Sequence, residues 1–186
     1  MQLEEATLYA AIVAAIASVA GVVATLLQRR AEEDRAAYRR TFEPFLHELG
    51  DAMYQLVACC NILALKEPGE GRENWLQRAE GHRERLMAIR PKLRYPLWGL
   101  DNGIRALSRL PTWVGHKRAS PDELAQLLKD ADRLRSDMDN VVLTSFQKGR
   151  PPTWLERRRV AGTTEKLYET FDERAEEENS HQALPN

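Results

Sequence analysis

A chain of 186 residues with 43% hydrophobic side chains holds enough material for one packed domain and an anchor, but not for several domains. Its net charge of −1 argues against a dedicated nucleic-acid binder, and its two cysteines are too few for a disulfide framework or a cysteine-based zinc site. The charge is unevenly laid out, however. Residues 66–118 carry twelve Lys or Arg against six acids, whereas residues 165–178 carry seven acids against Lys166 and Arg174.

In chain order, the first element is the uncharged run 6–27, preceded by Glu4 and Glu5 and followed by Arg29 and Arg30. As a helix it is about 33 Å long, which matches a bilayer core of about 30 Å. A cleavable signal peptide needs a basic leading region, and Met1-Gln2-Leu3-Glu4-Glu5 has none, although Ala17-Ser18-Val19-Ala20 imitates a cleavage site. A buried helix of a soluble protein is the other alternative, and a run this long without a polar face fits it poorly. The expectation is therefore a membrane-spanning helix. Arg29 and Arg30, backed by Arg35, Arg39 and Arg40, orient it with the N-terminus outside and the following chain in the cytoplasm, which implies a plasma (inner) membrane location. Ala10, Ala14 and Ser18 recur every four residues, as do Ala17, Gly21 and Thr25, and such small-residue stripes let helices approach closely in lipid. With alanine so abundant the spacing carries little weight by itself, and Gly21 is the residue that adds to it.

Residues 31–40 contain no helix breaker and read as a juxtamembrane stalk whose arginines suit anionic headgroups. Pro44 predicts a kink or a fresh helix start near Thr41. Beyond it Phe45, Leu46, Leu49, Met53, Leu56, Val57, Cys60 and Leu63 fall at three- and four-residue intervals, the signature of one buried helical face. A turn follows at Glu67-Pro68-Gly69-Glu70-Gly71. The next helix, about 73–89, sets Trp75, Leu76, Ala79, Leu86 and Ile89 opposite Arg78, Arg83, Arg85 and Arg90, with Lys92 and Arg94 beyond; Pro91 and Pro96 are expected to break it up. Leu97, Leu100, Ile104, Leu107 and Leu110 predict a shorter helix closed by Pro111, with Asp101 or Asn102 as its cap and an ordered loop over 113–118.

Ser120-Pro121-Asp122-Glu123 combines an N-cap, a first-turn proline and a capping-box glutamate. Leu124, Leu127, Ala131, Leu134, Met138 and Val141 then form a bundle or short coiled-coil seam that ends at Gly149. A last helix from about Thr153 is expected to bury Trp154, Leu155, Val160, Leu167, Tyr168 and Phe171 and to fray through Glu176-Glu177-Glu178. No strand pattern and no repeat is present. The expected fold is all-α: an extracytoplasmic tail (1–5), a transmembrane helix (6–28), a stalk (29–41), a cytoplasmic bundle of four to five helices (42–178) and a disordered tail (179–186).

Chemistry is sparse. The four histidines lack the spacing that puts two ligands on one helix face, and Glu43 with His47 reads as a surface ion pair before a metal site. Walker, dinucleotide and serine-hydrolase motifs are missing, and the glycines of 68–71 lack the lysine and strand of a phosphate loop. Cys59 and Cys60 read as small core residues in a reducing compartment, with a vicinal-thiol sensor or palmitoylation as the alternatives. The candidate functional surface is basic: Arg83, Arg85, Arg90, Lys92 and Arg94, with Tyr95 and Trp98 behind them, and a second run at Arg157, Arg158 and Arg159. Such arginines suit an acidic protein, anionic lipid or RNA, unless they are only the solvated faces of helices.

The sequence thus points to a non-enzymatic, cofactor-free, single-pass membrane protein whose helical bundle contacts a protein partner or itself, as an oligomer or as a subunit of a membrane complex. A regulatory or defence-type effector, in which bundle assembly perturbs the bilayer, is a specific version of this reading. The alternative is a membrane-tethered nucleic-acid or anionic-ligand binding module built on the central arginines, and nucleic acid is the less favoured partner. An enzyme with an unfamiliar helical site stands third.

Overall fold

The computed structural model describes residues 2–93, 97, 99–115 and 120–182, with side chains for all of these except 2–8, 10–12 and 171–182. Five helices and no strand are found among them: α1 (Gln2–Leu65), α2 (Glu70–Leu93), α3 (Asp101–Gly115), α4 (Pro121–Lys148) and α5 (Trp154–Gln182). The all-α expectation holds. Arg94, Tyr95, Pro96, Trp98, 116–118 and the side chain of Phe171 of the sequence reading lie outside the described residues.

α1 is one unbroken helix of 64 residues, about 95 Å long at 1.5 Å per residue. The described side chains of its first half are all exposed. Val13, Ile16, Val19, Val22, Val23, Leu26 and Leu27 are 49–65% exposed, so the run is not the core helix of the fold it belongs to. It is the one helix among the described residues long and apolar enough to cross a membrane. The second half enters the bundle at Tyr38 and Phe42 and continues through buried Leu49, Met53, Leu56, Cys60 and Leu63. The fresh helix start that Pro44 could impose is not there, and α1 runs through it. A mid-helix proline costs about 3 kcal/mol by removing one backbone donor and crowding the preceding turn. Here Pro44 is exposed, which leaves the unpartnered carbonyl of Arg40 on the solvent side. Buried side chains on both flanks, Tyr38 and Phe42 before it and Leu49 and Met53 after it, anchor the helix in the bundle on either side of the proline.

The same correction applies to Pro91 and Pro111, which sit inside α2 and α3 and do not end them. Trp113 belongs to α3, not to a loop. α1 and α2 form an antiparallel hairpin over the turn at Gly69, whose carbonyl accepts from the amides of Arg72 and Glu73. α4 and α5 form a second hairpin. α3 is the shortest helix and packs on all four others, burying Ile104, Leu107, Leu110 and Val114, while α1 and α5 share no contact among the described residues. α3 and α4 therefore separate α1 from α5.

Helix ends explain how these elements are joined. Ser120 caps α4 with the reciprocal capping box that its sequence spells, and the chain leaves α4 through Gly149 in the left-handed conformation (φ 62°). The backbone of α1 passes directly over that glycine: a Cβ at Gly149 would lie 2.7 Å from Arg35 Cβ and 3.0 Å from Arg35 Cα. Beside it the Arg39 guanidinium donates to the carbonyl of Phe146 (3.1 Å), which also accepts from Gly149 N, and to that of Gln147 at the end of α4. Arg72 does the same for α3, donating to Val114 O and Gly115 O at 2.8 and 2.9 Å. Arginines thus close the ends of neighbouring helices.

Gly149→Ala combines a left-handed backbone with a clash against the α1 main chain, so it should destabilise the bundle by about 1–3 kcal/mol. Gly162→Ala, where a Cβ meets nothing within 4 Å in mid-helix, should be neutral or stabilising by about 0.5–1 kcal/mol. Chemical denaturation of the detergent-solubilised chain compares the two.

Candidate functional site

The arginines that look like one basic surface in the sequence are mostly engaged within the fold. Arg83 pairs with Glu80 one turn earlier on α2. Arg90, near the end of α2, takes Asp101 at the start of α3 in a two-pronged contact, Nη2 to Oδ2 at 2.9 Å and a closer one through Nε. Arg105 reaches the same carboxylate at 3.1 Å. The Arg90 hydrogen bond holds the Asp101 carboxyl below its usual range, and Asp101 in turn raises Arg90. Asp101 does begin the helix as expected, but its carboxylate ties α2 to α3, which differs from the simple backbone cap that the sequence suggests. Lys92 lies over the Phe45 ring at 5.6 Å. Arg85 is exposed.

The second run divides in the same way. Arg159 Nε contacts Asp137 Oδ1 at 2.8 Å, and Thr163 donates to the other oxygen of that carboxylate at 3.0 Å. Asp137 is only 3% exposed, so this acid depends on partners. It sits in the apolar stripe of α4, three residues after Leu134 and four before Val141, a position the sequence marks although its partners on α5 cannot be read there. Arg157 packs on Gly99, where a Cβ would stand 2.5 Å from Arg157 Cδ. Arg158 lies over the exposed Trp154 ring at 5.1 Å. The structure thus brings Arg157 to the loop that follows Arg90 without merging the two runs into a single plate. Beside Arg90 a cavity of about 600 Å³ is lined by Leu97, Gly99, Asp101 and Arg105 as well.

Trp154 and Leu155 correct the sequence reading. The sequence places both in the core, yet they are 60% and 70% exposed. α5 buries Val160, Thr163, Thr164 and Leu167, a face at helical spacing from which residues 154 and 155 turn away. Thr153 and Glu156 form a capping box at this helix start, with Thr153 N donating to Glu156 at 2.7 Å. The Thr153-Trp154-Leu155-Glu156 spacing is the signal that would have shown it. Glu156 is the hub of this corner, accepting from Arg150 and Lys148 at 3.1 Å each. These bonds, Arg150's first, hold its carboxyl well below the usual range.

Elsewhere the chemistry is quiet. Cys59 and Cys60 are buried and unbridged, and burial pushes both thiols up, away from the reactive thiolate. Burial also lowers His82, with the Arg85 charge acting in the same direction. In the span, Ala14, Ala17, Ser18, Gly21 and Thr25 are exposed along the arm, and the Thr25 hydroxyl is satisfied by its own helix at Gly21 O (2.8 Å). The Ala10 side chain lies outside those described. Arg29 and Arg30 stand exposed where the apolar run ends.

In comparison with known proteins, the chain matches no family model, no curated sequence and no solved structure.

Two outcomes follow from these pairings. Arg159→Ala leaves a buried carboxylate short of a partner and should cost about 1–3 kcal/mol, whereas Arg158→Ala should stay within about 0.5 kcal/mol of the wild type in the same unfolding experiment. For Glu156 the folded value lies below the ordinary 4.5, so its pairings add stability that is complete above about pH 4.5 and is lost as pH falls from there toward the folded value. Denaturant midpoints of wild type and Glu156→Gln should therefore differ most at neutral pH and converge on acidification; a gap independent of pH would contradict the assignment.

Proposed function

We propose that the protein is a single-pass membrane-anchored helical interaction module, oriented with its N-terminus outside and its bundle in the cytoplasm at the inner membrane, and that it acts as an oligomer or as a subunit of a membrane complex. The observation that carries this reading is the first half of α1. Seven large aliphatic side chains there stand about half to two-thirds exposed. Removing them from water is worth on the order of 10 kcal/mol, comparable to the whole stability of a domain, so an aqueous existence for this arm is strongly disfavoured. Glu4 and Glu5 on one side and Arg29 and Arg30 on the other support the orientation.

The mechanism is positional. Confinement to a plane raises the effective concentration of the bundle for partners and for its own copies. Because span and bundle share one helix, a change in how spans pack is passed to the bundle as rotation or tilt. Ala10, Ala14 and Ser18, with Ala17, Gly21 and Thr25, offer the close-approach face for a second span. The internal pairing of Arg83, Arg90 and Arg159 favours this reading over a nucleic-acid binder, which keeps its cations available for phosphates.

Cross-linking in native membranes tests it. The wild type should yield a defined oligomer or a specific hetero-complex, and Gly21→Leu should reduce self-assembly severalfold if the span packs through that face. A chain that stays monomeric and co-purifies with nothing contradicts the proposal.

A further inference from the structure

The corner between α4 and α5 presents large apolar side chains that the bundle does not bury. Trp154 is exposed, whereas Trp75 and Trp113 are each half-buried. Leu155 beside it is more exposed still, and both occupy the first turn of α5. Residues 148–159 hold five cations, Lys148, Arg150, Arg157, Arg158 and Arg159; Lys148 and Arg150 share the one carboxylate of Glu156 and Arg159 takes Asp137, which leaves the corner with a surplus of positive charge. The corner is also rigid. A left-handed glycine, Pro151, buried Pro152 and a capping box fix its backbone, so the exposed tryptophan is held in place by a built turn.

Its position gives the exposure a meaning. Gly149 packs on the backbone of Arg35, and Arg39 holds the end of α4. The corner therefore lies eight residues beyond Leu27 on α1, about 12 Å along the helix from the end of the apolar run. The headgroup layer of one leaflet fills about 5–7 Å of that distance. α5 stands off α1 behind α3 and α4, about 15 Å away at ordinary helix spacings of 8–10 Å. A span tilt of about 20–40° toward α5, within the usual range, then lowers its first turn by about 5–10 Å and closes the gap.

We propose that the α4–α5 corner is a bilayer-surface contact: Trp154 and Leu155 enter the headgroup–acyl boundary of the leaflet from which α1 emerges, and Lys148, Arg150 and Arg158, three charges against the one of Glu156 that the first two share, face anionic phospholipid headgroups. Tryptophan and leucine flanked by arginine is the combination that settles at that depth, with the indole at headgroup level and the cations over lipid phosphates. The stalk adds Arg29, Arg30, Arg35 and Arg40 between the apolar run and the corner, against Glu32, Glu33 and Asp34. The contact fixes the tilt of the bundle on the membrane and so selects which of its other faces a partner meets. The inference rests on the membrane-anchored reading of α1.

The test uses the full chain in nanodiscs whose lipids carry brominated acyl chains, which quench tryptophan only at short range. Wild type is compared with Trp154→Phe, so that the difference isolates one indole at an exposed position where the change leaves the core intact. With phosphatidylserine in the disc, the Trp154 component should be strongly quenched. In phosphatidylcholine alone, or with Lys148→Gln and Arg158→Gln, docking should weaken, by about fivefold for each cation neutralised. Incorporation is read separately by co-elution with the discs. A protein that does not enter them overturns the anchored reading itself. A protein that enters them while Trp154 stays unquenched in both lipid mixtures overturns the proposed contact and leaves the corner facing water, open to a protein partner.

Discussion

The structure depends on the clamp between α1 and the end of α4. Arg39 satisfies the terminal carbonyls of α4, Gly149 lets the two backbones meet, and Tyr38, Phe42 and Phe146 form an aromatic contact at ring spacings of 6.2 and 6.3 Å. Burial pushes the Tyr38 phenol up to about 12, so it remains neutral in this contact at any physiological pH. Take this clamp away, and α1 is held in the bundle only from Leu49 onward, with a stretch of solvated helix between that contact and the apolar arm. With it, the arm and the bundle form one rod packed from Tyr38 onward. Every functional argument about tilt, rotation or assembly passing between lipid and bundle requires that rod.

The clamp also accounts for the behaviour of the prolines. Pro44 follows Phe42 by two residues, and the packing on either side of it outweighs a missing hydrogen bond. Pro91 and Pro111 are carried through their helices in the same way, next to buried Ile89 and Leu93 in one case and Leu110 and Val114 in the other. Tertiary packing overrides local propensity at all three sites.

What was legible in the sequence follows from which signals are local. The apolar run, the Ser120 capping box, the Gly149 stop and the three- and four-residue stripes of α1, α3 and α4 are read from neighbours in the chain, and the structure contains each of them. The basic surface was only partly legible: Arg83 takes Glu80 one turn earlier, but the acids that meet Arg90 and Arg159 come from elsewhere. Arg90 and Asp101 are eleven residues apart, and Asp137 meets Arg159 across two helices. Trp154 and Leu155 misled for a related reason. Large apolar residues at a helix start suggest burial, but the first turn of α5 precedes the face that Val160, Thr163 and Leu167 define.

The central claim is that the apolar arm lies in the bilayer and is the same rigid helix that enters the bundle. Electron spin resonance between labels at Leu27→Cys and Asn61→Cys, both exposed positions, measures it directly in nanodiscs, since Cys59 and Cys60 are buried and resist labelling. An unbroken helix predicts a narrow distribution near 50 Å, from 34 residues at about 1.5 Å each. A broad or much shorter distribution, or a chain that never enters the discs, would contradict it.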